Sequence, residues 1–311
     1  MNKIKLITVL LVLSSMQISA KTLHELSVSG GGGWSSFRYT PSIKEASSTG
    51  FSMDIGGGFT GFFSQNVGFH IGGSLAWYNV KSTIDSLQSI SIAHGKEYLE
   101  SYQNSYSYDL TTTFYNYKET HKLFSLTIPL MLQFQSGQYH SWNRSSDIGK
   151  GFYVMAGFKF NVVANHKYDI TMTKVYNEGY FPDVKNKVGT QRFQGFGTAN
   201  CINSGSGSLD FNILAMLALE AGMKWRLDDA VFLYTGVYFD YGLNDPTKDT
   251  RKSMESYDVY GKMKSNKIGD VDIKDMPLIS ASDRINLMTL GIKLRLAFVK
   301  NSSPYDCPRG F

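Results

Sequence analysis

Apolar and polar residues alternate along several long stretches of the chain, a pattern typical of β-strands with two chemically different faces. The clearest case is a pair of runs, Phe51 to Phe63 and Val67 to Tyr78, separated by three polar residues. In the second run Val67, Phe69 and Ile71 share one face, because successive side chains alternate across a strand. The intervening residues on the other face are Gly or His. The two runs therefore predict an antiparallel hairpin.

Six further segments follow the same rule, and together the runs predict eight strands. The additional segments are Leu23 to Trp34, Leu123 to Phe134, Gly151 to Val163, Phe211 to Arg226, Ala230 to Leu243 and Ile285 to Phe298. Phe211 to Leu219 is apolar on both faces, but the polar alternation that starts at Glu220 favours a strand. Ser105 to Tyr117 also alternates. It either extends a hairpin or adds two strands, so a ten-stranded alternative stays open.

Strand length and loop length both favour a membrane. The runs exceed the ~5 to 6 residues of soluble strands and suit a tilted bilayer crossing of ~9 to 11 residues. Turns at 64–66 and 227–229 are short, whereas the connections 79–122, 164–210 and 244–284 are long and polar. Short periplasmic turns and long external loops are typical of outer-membrane barrels, although 136–150 is long for a periplasmic turn. A soluble barrel with its apolar face inward is the alternative.

The first twenty residues predict a secretion signal that is removed on export. Lys3 and Lys5 precede the apolar run Leu6 to Leu13, and the small residue Ala20 closes the segment. We therefore expect three parts: a signal peptide over 1–20, a barrel with long external loops over 21–298, and a short periplasmic tail over 299–311.

Charge and hydropathy exclude two classes of protein. The net charge of +5 is spread over 311 residues without a basic block, so nucleic acid is not an expected partner. Beyond the signal, no run approaches the ~20 apolar residues of a transmembrane helix. A transmembrane barrel remains compatible with this composition, because only alternate residues of each strand face lipid.

Three short motifs resemble an outer-membrane β-barrel family common in Bacteroides-type bacteria, which is related in plan to the OmpA membrane domain. They are Leu126 to Leu132, which is similar to that family's central "IPL" strand, the strand end Phe239 to Leu243, and Leu290 to Leu294 in the last strand. The resemblance covers nearly the whole mature chain and implies an integral outer-membrane barrel. Because only 13 residues follow Phe298, we expect no folded domain that binds peptidoglycan, which is a departure from OmpA.

In a bilayer the strands must close into an all-β, antiparallel, up-and-down barrel, because every backbone polar group needs a partner. Closure turns the polar face inward. The predicted charged and polar interior comprises Asp54, His70, Lys159, Glu220, Lys224, Arg226, Asp240, Lys293 and Arg295. With eight strands the lumen is about wide enough for side chains to fill it. We therefore favour a plug of paired charges over an ion or solute path lined by the same residues.

No catalytic or metal-binding arrangement is evident. His70 and Ser74 lie two inward positions apart, but no third residue is placed to orient the histidine. The histidines His94, His121, His140 and His166 fall in separate connections without metal-ligand spacing. Aromatic residues at the predicted strand ends form a candidate membrane-interface girdle: Trp34, Trp77, Trp225 and Tyr241.

The sequence thus predicts a non-enzymatic outer-membrane barrel with an envelope-structural or surface-contact role. A narrow porin-like channel for ions or small solutes is the alternative, followed by a membrane enzyme active at the barrel rim. The expected partners are outer-membrane lipid and a surface ligand or envelope protein of unknown identity. No cofactor is expected.

Overall fold

The computed structural model describes eleven ranges of the chain: residues 23–40, 47–64, 66–99, 102–136, 150–182, 185–188, 197–228, 230–247, 267–268, 271–272 and 284–300. Twelve strands occur in them: β1 Leu23–Thr40, β2 Ser47–Phe62, β3 Val67–Leu99, β4 Tyr102–Gln135, β5 Lys150–Phe181, β6 Asn186–Val188, β7 Gly197–Gly207, β8 Leu214–Arg226, β9 Val231–Gly242, β10 Lys267–Ile268, β11 Val271–Asp272 and β12 Arg284–Lys300. Among the described residues, no helix is long and apolar enough to cross a membrane.

Eight of the strands form a closed antiparallel ring. Hydrogen bonds connect β4, β3, β2, β1, β12, β9, β8 and β5 in that order, and pairing between β4 and β5 closes the circle. The predicted eight-stranded antiparallel barrel is therefore confirmed. Ser105–Tyr117 continues β4, and β6 and β7 pair with the upper part of β5 beside the ring. The ten-stranded alternative is wrong for this reason.

The lower part of the barrel is apolar outside and polar inside. Leu26 of β1 and Ile292 of β12 face outward and are 63% and 65% exposed, and Phe59 and Leu217 also lie on the outer surface. Glu25, next to Leu26 in β1, is buried inside. A protein whose large apolar side chains form a continuous outer belt needs an apolar solvent around that belt. The alternative of a soluble barrel with an apolar interior does not fit this part of the structure.

Above the belt the two faces exchange their chemistry while the alternation continues. In β1 the outward positions change from Trp34 to Arg38, and the inward positions become Phe37 and Tyr39, which are buried. Inward side chains of the neighbouring strands join these two in one apolar cluster: Val80, Ile84, Phe114, Tyr117, Leu123, Tyr168, Ile170, Met172, Val175, Leu214, Met216, Ile285 and Leu287. This upper part has the chemistry of a water-soluble domain, with an apolar core and a polar surface.

The part of the sheet above the belt, the extension, consists of strands where long loops were expected. Residues 79–99 pair with 102–122 as the upper part of the β3–β4 hairpin, and 164–181 continue β5. The long polar connections expected at 79–122 and over much of 164–210 are therefore largely strands, whose polar residues cover the outer face of a sheet, and Ser105–Tyr117 extends the hairpin as one of the two alternatives had it. Leu214 and Met216 made the start of β8 apolar on both faces because their side chains enter the upper core.

The chain ends lie outside the described residues, as do most of 136–150 and most of 244–284. The predicted signal peptide over 1–20 and tail over 299–311 thus stay predictions, apart from the last strand, which continues to Lys300.

A charge in the middle of the apolar belt should be costly. We expect Ile292→Arg to reduce the free energy of unfolding in phospholipid vesicles by about 2 to 4 kcal/mol, because the guanidinium would lie in hydrocarbon. Urea titration followed by tryptophan fluorescence measures this. The matched control is Thr171→Arg, an exposed position of β5 above the belt. Equal effects of the two substitutions would contradict the membrane assignment.

Candidate functional site

The interior of the lower barrel gathers the charged residues that the alternation predicted. His70, Lys159, Glu220, Lys224, Asp240 and Arg295 are buried there, and Asp54 and Lys293 are nearly so. Arg226 follows Lys224 by two positions at the end of β8, so its side chain starts from the same face of the wall. The strands β2, β3, β5, β8, β9 and β12 bring these residues together from six different parts of the chain.

The lowest tier of the interior, farthest from the extension, is centred on Glu25. Lys224 Nζ lies 3.0 Å from Glu25 Oε1, and the Tyr234 hydroxyl donates a hydrogen bond of 2.8 Å to Glu25 Oε2. Lys224 also donates to Gln135 Oε1 at 3.0 Å. The Arg295 guanidinium lies 4.2 Å from the centre of the Tyr234 ring, a cation–π contact. Glu25 was missing from the predicted interior set, although it lies on the polar face of the first predicted strand.

Lys293 lies in the middle tier between two carboxylates. Its Nζ is 3.7 Å from Asp54 Oδ2 and 3.9 Å from Glu220 Oε2. Tyr153 donates a 2.8 Å hydrogen bond to Glu220. Gly31 makes room for this arrangement, because a Cβ atom there would lie 2.6 Å from Asp54 Oδ1.

The upper tier is an ion pair between two strands of the ring that are separated by β8. Lys159 Nζ of β5 lies 2.8 Å from both carboxylate oxygens of Asp240 in β9. Thr289 donates a further hydrogen bond of 3.2 Å to Asp240. The charges of these tiers thus balance, and the network is close to electrically neutral. The four cations are Lys159, Lys224, Lys293 and Arg295, and the four carboxylates are those of Glu25, Asp54, Glu220 and Asp240.

The side chains fill the interior rather than line an open path. The cavity bounded by Asp54, Tyr78, Lys159, Tyr238 and Lys293 has a volume of about 20 Å³. This is room for about one water molecule. The packing therefore favours the plug over the channel.

His70 has a structural environment. Its Nδ1 is 2.9 Å from the Thr60 hydroxyl, and both side chains are buried. No carboxylate among the described residues forms an ion pair or hydrogen bond with it. The residues around His70 thus provide no general-base arrangement of the kind that activates a serine.

A second polar cluster, inside the apolar core of the extension, was missed by the sequence analysis. Glu119, His121 and His166 are buried in a continuous chain of polar contacts, an ion pair followed by a hydrogen bond. His121 Nε2 lies 2.6 Å from Glu119 Oε1, and His121 Nδ1 lies 2.9 Å from His166 Nε2. The histidines His121 and His166, expected in separate connections, are therefore in direct contact. His94 side-chain placement and His140 lie outside the described residues.

The hydrogen bonds determine the protonation of this chain. The backbone N–H of Leu209 donates to His166 Nδ1 at 3.2 Å, so a neutral His166 carries its proton on Nε2 and donates to His121. The proton of a neutral His121 is then on Nε2, which lies at ion-pair distance from Glu119, and Tyr117 donates to the second Glu119 oxygen at 2.9 Å. Burial, together with the adjacent His121, lowers the pKa of His166 to about 3. The chain is therefore complete when His166 is neutral.

The predicted girdle residues lie at the ends of the apolar belt. Trp34 Nε1 donates to Thr49 Oγ1 at 2.8 Å, and Trp77 packs against Phe124 with 5.2 Å between ring centres. Trp225 at the other end donates to Thr235 at 2.9 Å, and Tyr241 is half-buried near the end of β9. No group of three or more metal-ligating side chains is found among the described residues.

A closed antiparallel ring with an apolar outer belt and a neutralised polar interior has the architecture of an outer-membrane β-barrel. No protein-family model and no curated protein matches the chain. Among solved structures it is similar to Neisserial surface protein A (10% identity, TM-score 0.30, 89% of this chain and 97% of that chain). Two others are OprG from Pseudomonas aeruginosa (9%, 0.32, 91% and 97%) and Ail of Yersinia pestis (11%, 0.28, 88% and 98%). The assignment to the class of outer-membrane β-barrels rests on the closed ring and the apolar belt of this chain.

Removal of one partner of the buried pair in the upper tier should be strongly destabilising. We expect Lys159→Met to cost about 3 to 5 kcal/mol of unfolding free energy, because it leaves the Asp240 carboxylate buried without its cation. The double variant Lys159→Met/Asp240→Asn should recover most of that loss. Urea unfolding in vesicles measures all variants, and a double variant no more stable than the single one would contradict the pairing.

Acid should loosen the contact between His166 and the segment before β8. Because the folded-state pKa of His166 lies below its ordinary value, its stabilising effect is complete above about pH 6.5 and decreases as the pH falls towards 3. At pH 5 we expect a loss of about 2 kcal/mol. Hydrogen exchange of the Leu209 amide at pH 7.5 and 5, corrected for intrinsic rates, measures the opening. His166→Phe should remove the pH dependence, and equal protection at both pH values in the unmodified protein would contradict it.

Proposed function

We propose that this protein is a non-enzymatic component of the cell outer membrane whose closed barrel supports an extended β-sheet above the outer leaflet. The role is structural support of the envelope or contact with a surface ligand. The observation that carries the proposal is the combination of a filled interior with an ordered, water-compatible extension on the same strands.

The filled interior supports a structural role over transport. Ion pairs connect non-adjacent strands through the lumen, β1 with β8 and β5 with β9, and the cavity beside the β5–β9 pair holds about one water molecule. Moving an ion through the lumen would require several of these buried pairs to separate. Separating a buried pair leaves uncompensated charges, which is strongly unfavourable.

The extension supports a contact role. β3, β4 and β5 contain 33, 34 and 32 residues, far more than a bilayer crossing needs. Beyond Trp77, β3 continues to Leu99, which is roughly 70 Å of extended strand. An apolar core stabilises the lower part of this sheet, so the surface is presented by ordered strands rather than by free loops.

The remaining features of the proposal come from the sequence. They are export through a cleaved signal over 1–20, residence in the outer membrane with lipid as partner, a barrel over 21–298 and a periplasmic tail over 299–311. Membership of the Bacteroides-type family also remains a prediction. The interior residues serve as a structural plug, and the aromatic residues Trp34, Trp77, Trp225 and Tyr241 as interface anchors.

Conductance separates the plugged barrel from the porin-like alternative. In planar bilayers we expect no steady current through the unmodified protein. The variant Tyr153→Ala/Tyr234→Ala/Arg295→Ala removes three interior side chains that pack against one another and should admit a small steady current. The control variant Lys81→Ala/Lys118→Ala changes only outward positions and should stay closed. A steady current through the unmodified protein would refute the plug and establish the channel.

A further inference from the structure

An apolar groove of about 440 Å³ lies on the outer surface of the barrel where β2, β3, β4 and β5 pass the upper edge of the belt. Its apolar part is formed by Phe51, Met53, Trp77 and Phe124, and its polar rim includes Asn79, Asn165, Lys122 and Lys167. Phe51 and Met53 are half-exposed there. The groove is therefore an exposed concave site with one apolar and one polar side.

The membrane boundary passes through this groove. Trp77 and Phe124 are the uppermost outward residues of the apolar belt in β3 and β4, and the next outward residues are Asn79 and Lys122. Aromatic rings such as Trp77 favour the headgroup boundary. The apolar half of the groove thus faces acyl chains, and the polar half lies at the level of lipid headgroups.

The rim of the groove has an excess of positive charge. Lys122 and Lys167 are direct cross-strand partners of β4 and β5, an arrangement in which like charges destabilise a sheet. Asp169 is 3.2 Å from Lys122, with both side chains largely exposed, so it offsets one of the two charges weakly. No salt bridge joins Lys167 to a carboxylate of the described residues. Lys81 and Lys118 face outward farther up the same surface.

From this arrangement we propose that the groove binds one phosphorylated lipid of the outer leaflet. An acyl chain packs against Trp77 and Phe124, and a phosphate lies between Lys122 and Lys167. An anion there relieves the repulsion between the two lysines, which explains why like charges are paired at this level. The proposal rests on the outer-membrane placement but not on the plug or on the contact role of the extension.

Native mass spectrometry of the full mature chain in non-ionic detergent tests the proposal. The probe is monophosphorylated lipid A, compared with the same glycolipid lacking phosphate and with inorganic phosphate alone. We expect one bound lipid per protein and much weaker binding of both comparison ligands. Equal binding of the dephosphorylated lipid would refute the role of the lysines. Equal binding of inorganic phosphate would refute the role of the apolar groove.

Matched lysine variants locate the site. Lys122→Gln/Lys167→Gln should weaken binding about thirtyfold, because each lysine near a membrane surface strengthens the binding of an anionic lipid about fivefold. The control Lys174→Gln/Lys187→Gln removes two lysines of the extension, one stacked on Tyr115 and one paired with Glu178, and should change binding less than twofold. Unchanged binding in the first variant, or equal losses in both, would overturn the proposal. Altered gel migration on heating shows separately that each variant is a folded barrel, so a failure of the membrane assignment is distinguishable.

Discussion

The whole structure depends on one requirement: in hydrocarbon, every backbone N–H and C=O group must find a partner within the protein. A sheet meets it only by closing on itself, which the pairing of β4 with β5 achieves. Closure separates the two faces of each strand into a convex outer surface and a narrow interior. Only one orientation of the strands then fits the strong alternation of the sequence: the apolar side chains face lipid and the charged side chains face the lumen. Within that lumen the charges neutralise one another, because the cavity beside them leaves little room for solvent.

The same strands continue past the bilayer, and there the solvent on the outer face becomes water. The alternation with a period of two is retained, but the chemistry of the faces is exchanged: Phe37 and Val80 point inward, while Arg38 and Lys81 point outward. The exchange occurs beside Trp34 and Trp77, which have one face suited to lipid and a polar N–H group. The chain is thus a membrane barrel and a small soluble sheet domain built from one continuous set of strands. The lysine-rimmed groove lies at the boundary between them.

Within the membrane, the sequence alone was sufficient to predict the strands and most of the inward residues, although Glu25 was missed and ten strands stayed an alternative to eight. Hydrocarbon outside and charge inside produce the strongest possible contrast between faces, as in Phe51 to Phe63 and in the alternation of Lys159 with Phe158 and Phe160. Above the membrane, the contrast is weaker and reversed, so polar residues of sheet surfaces resembled loops. The chain of Glu119, His121 and His166 could not be predicted, because it depends on the register between β4 and β5 over a separation of 45 residues. Leu214 and Met216 were a partial signal, since a strand apolar on both faces marks a second core.

The central claim is that the outward face of the strands contacts lipid in the belt and water above the belt. A nitroxide scan of outward positions in β3, from Val67 to Asp85, tests it in bilayers, with Cys201→Ser and Cys307→Ser as background. Collisions with oxygen, which concentrates in hydrocarbon, should dominate from Val67 to Trp77. Collisions with a water-soluble nickel chelate should dominate from Asn79 to Asp85. A label at Ile71 or Leu75 protected from oxygen, or freely reached by nickel, would contradict the account.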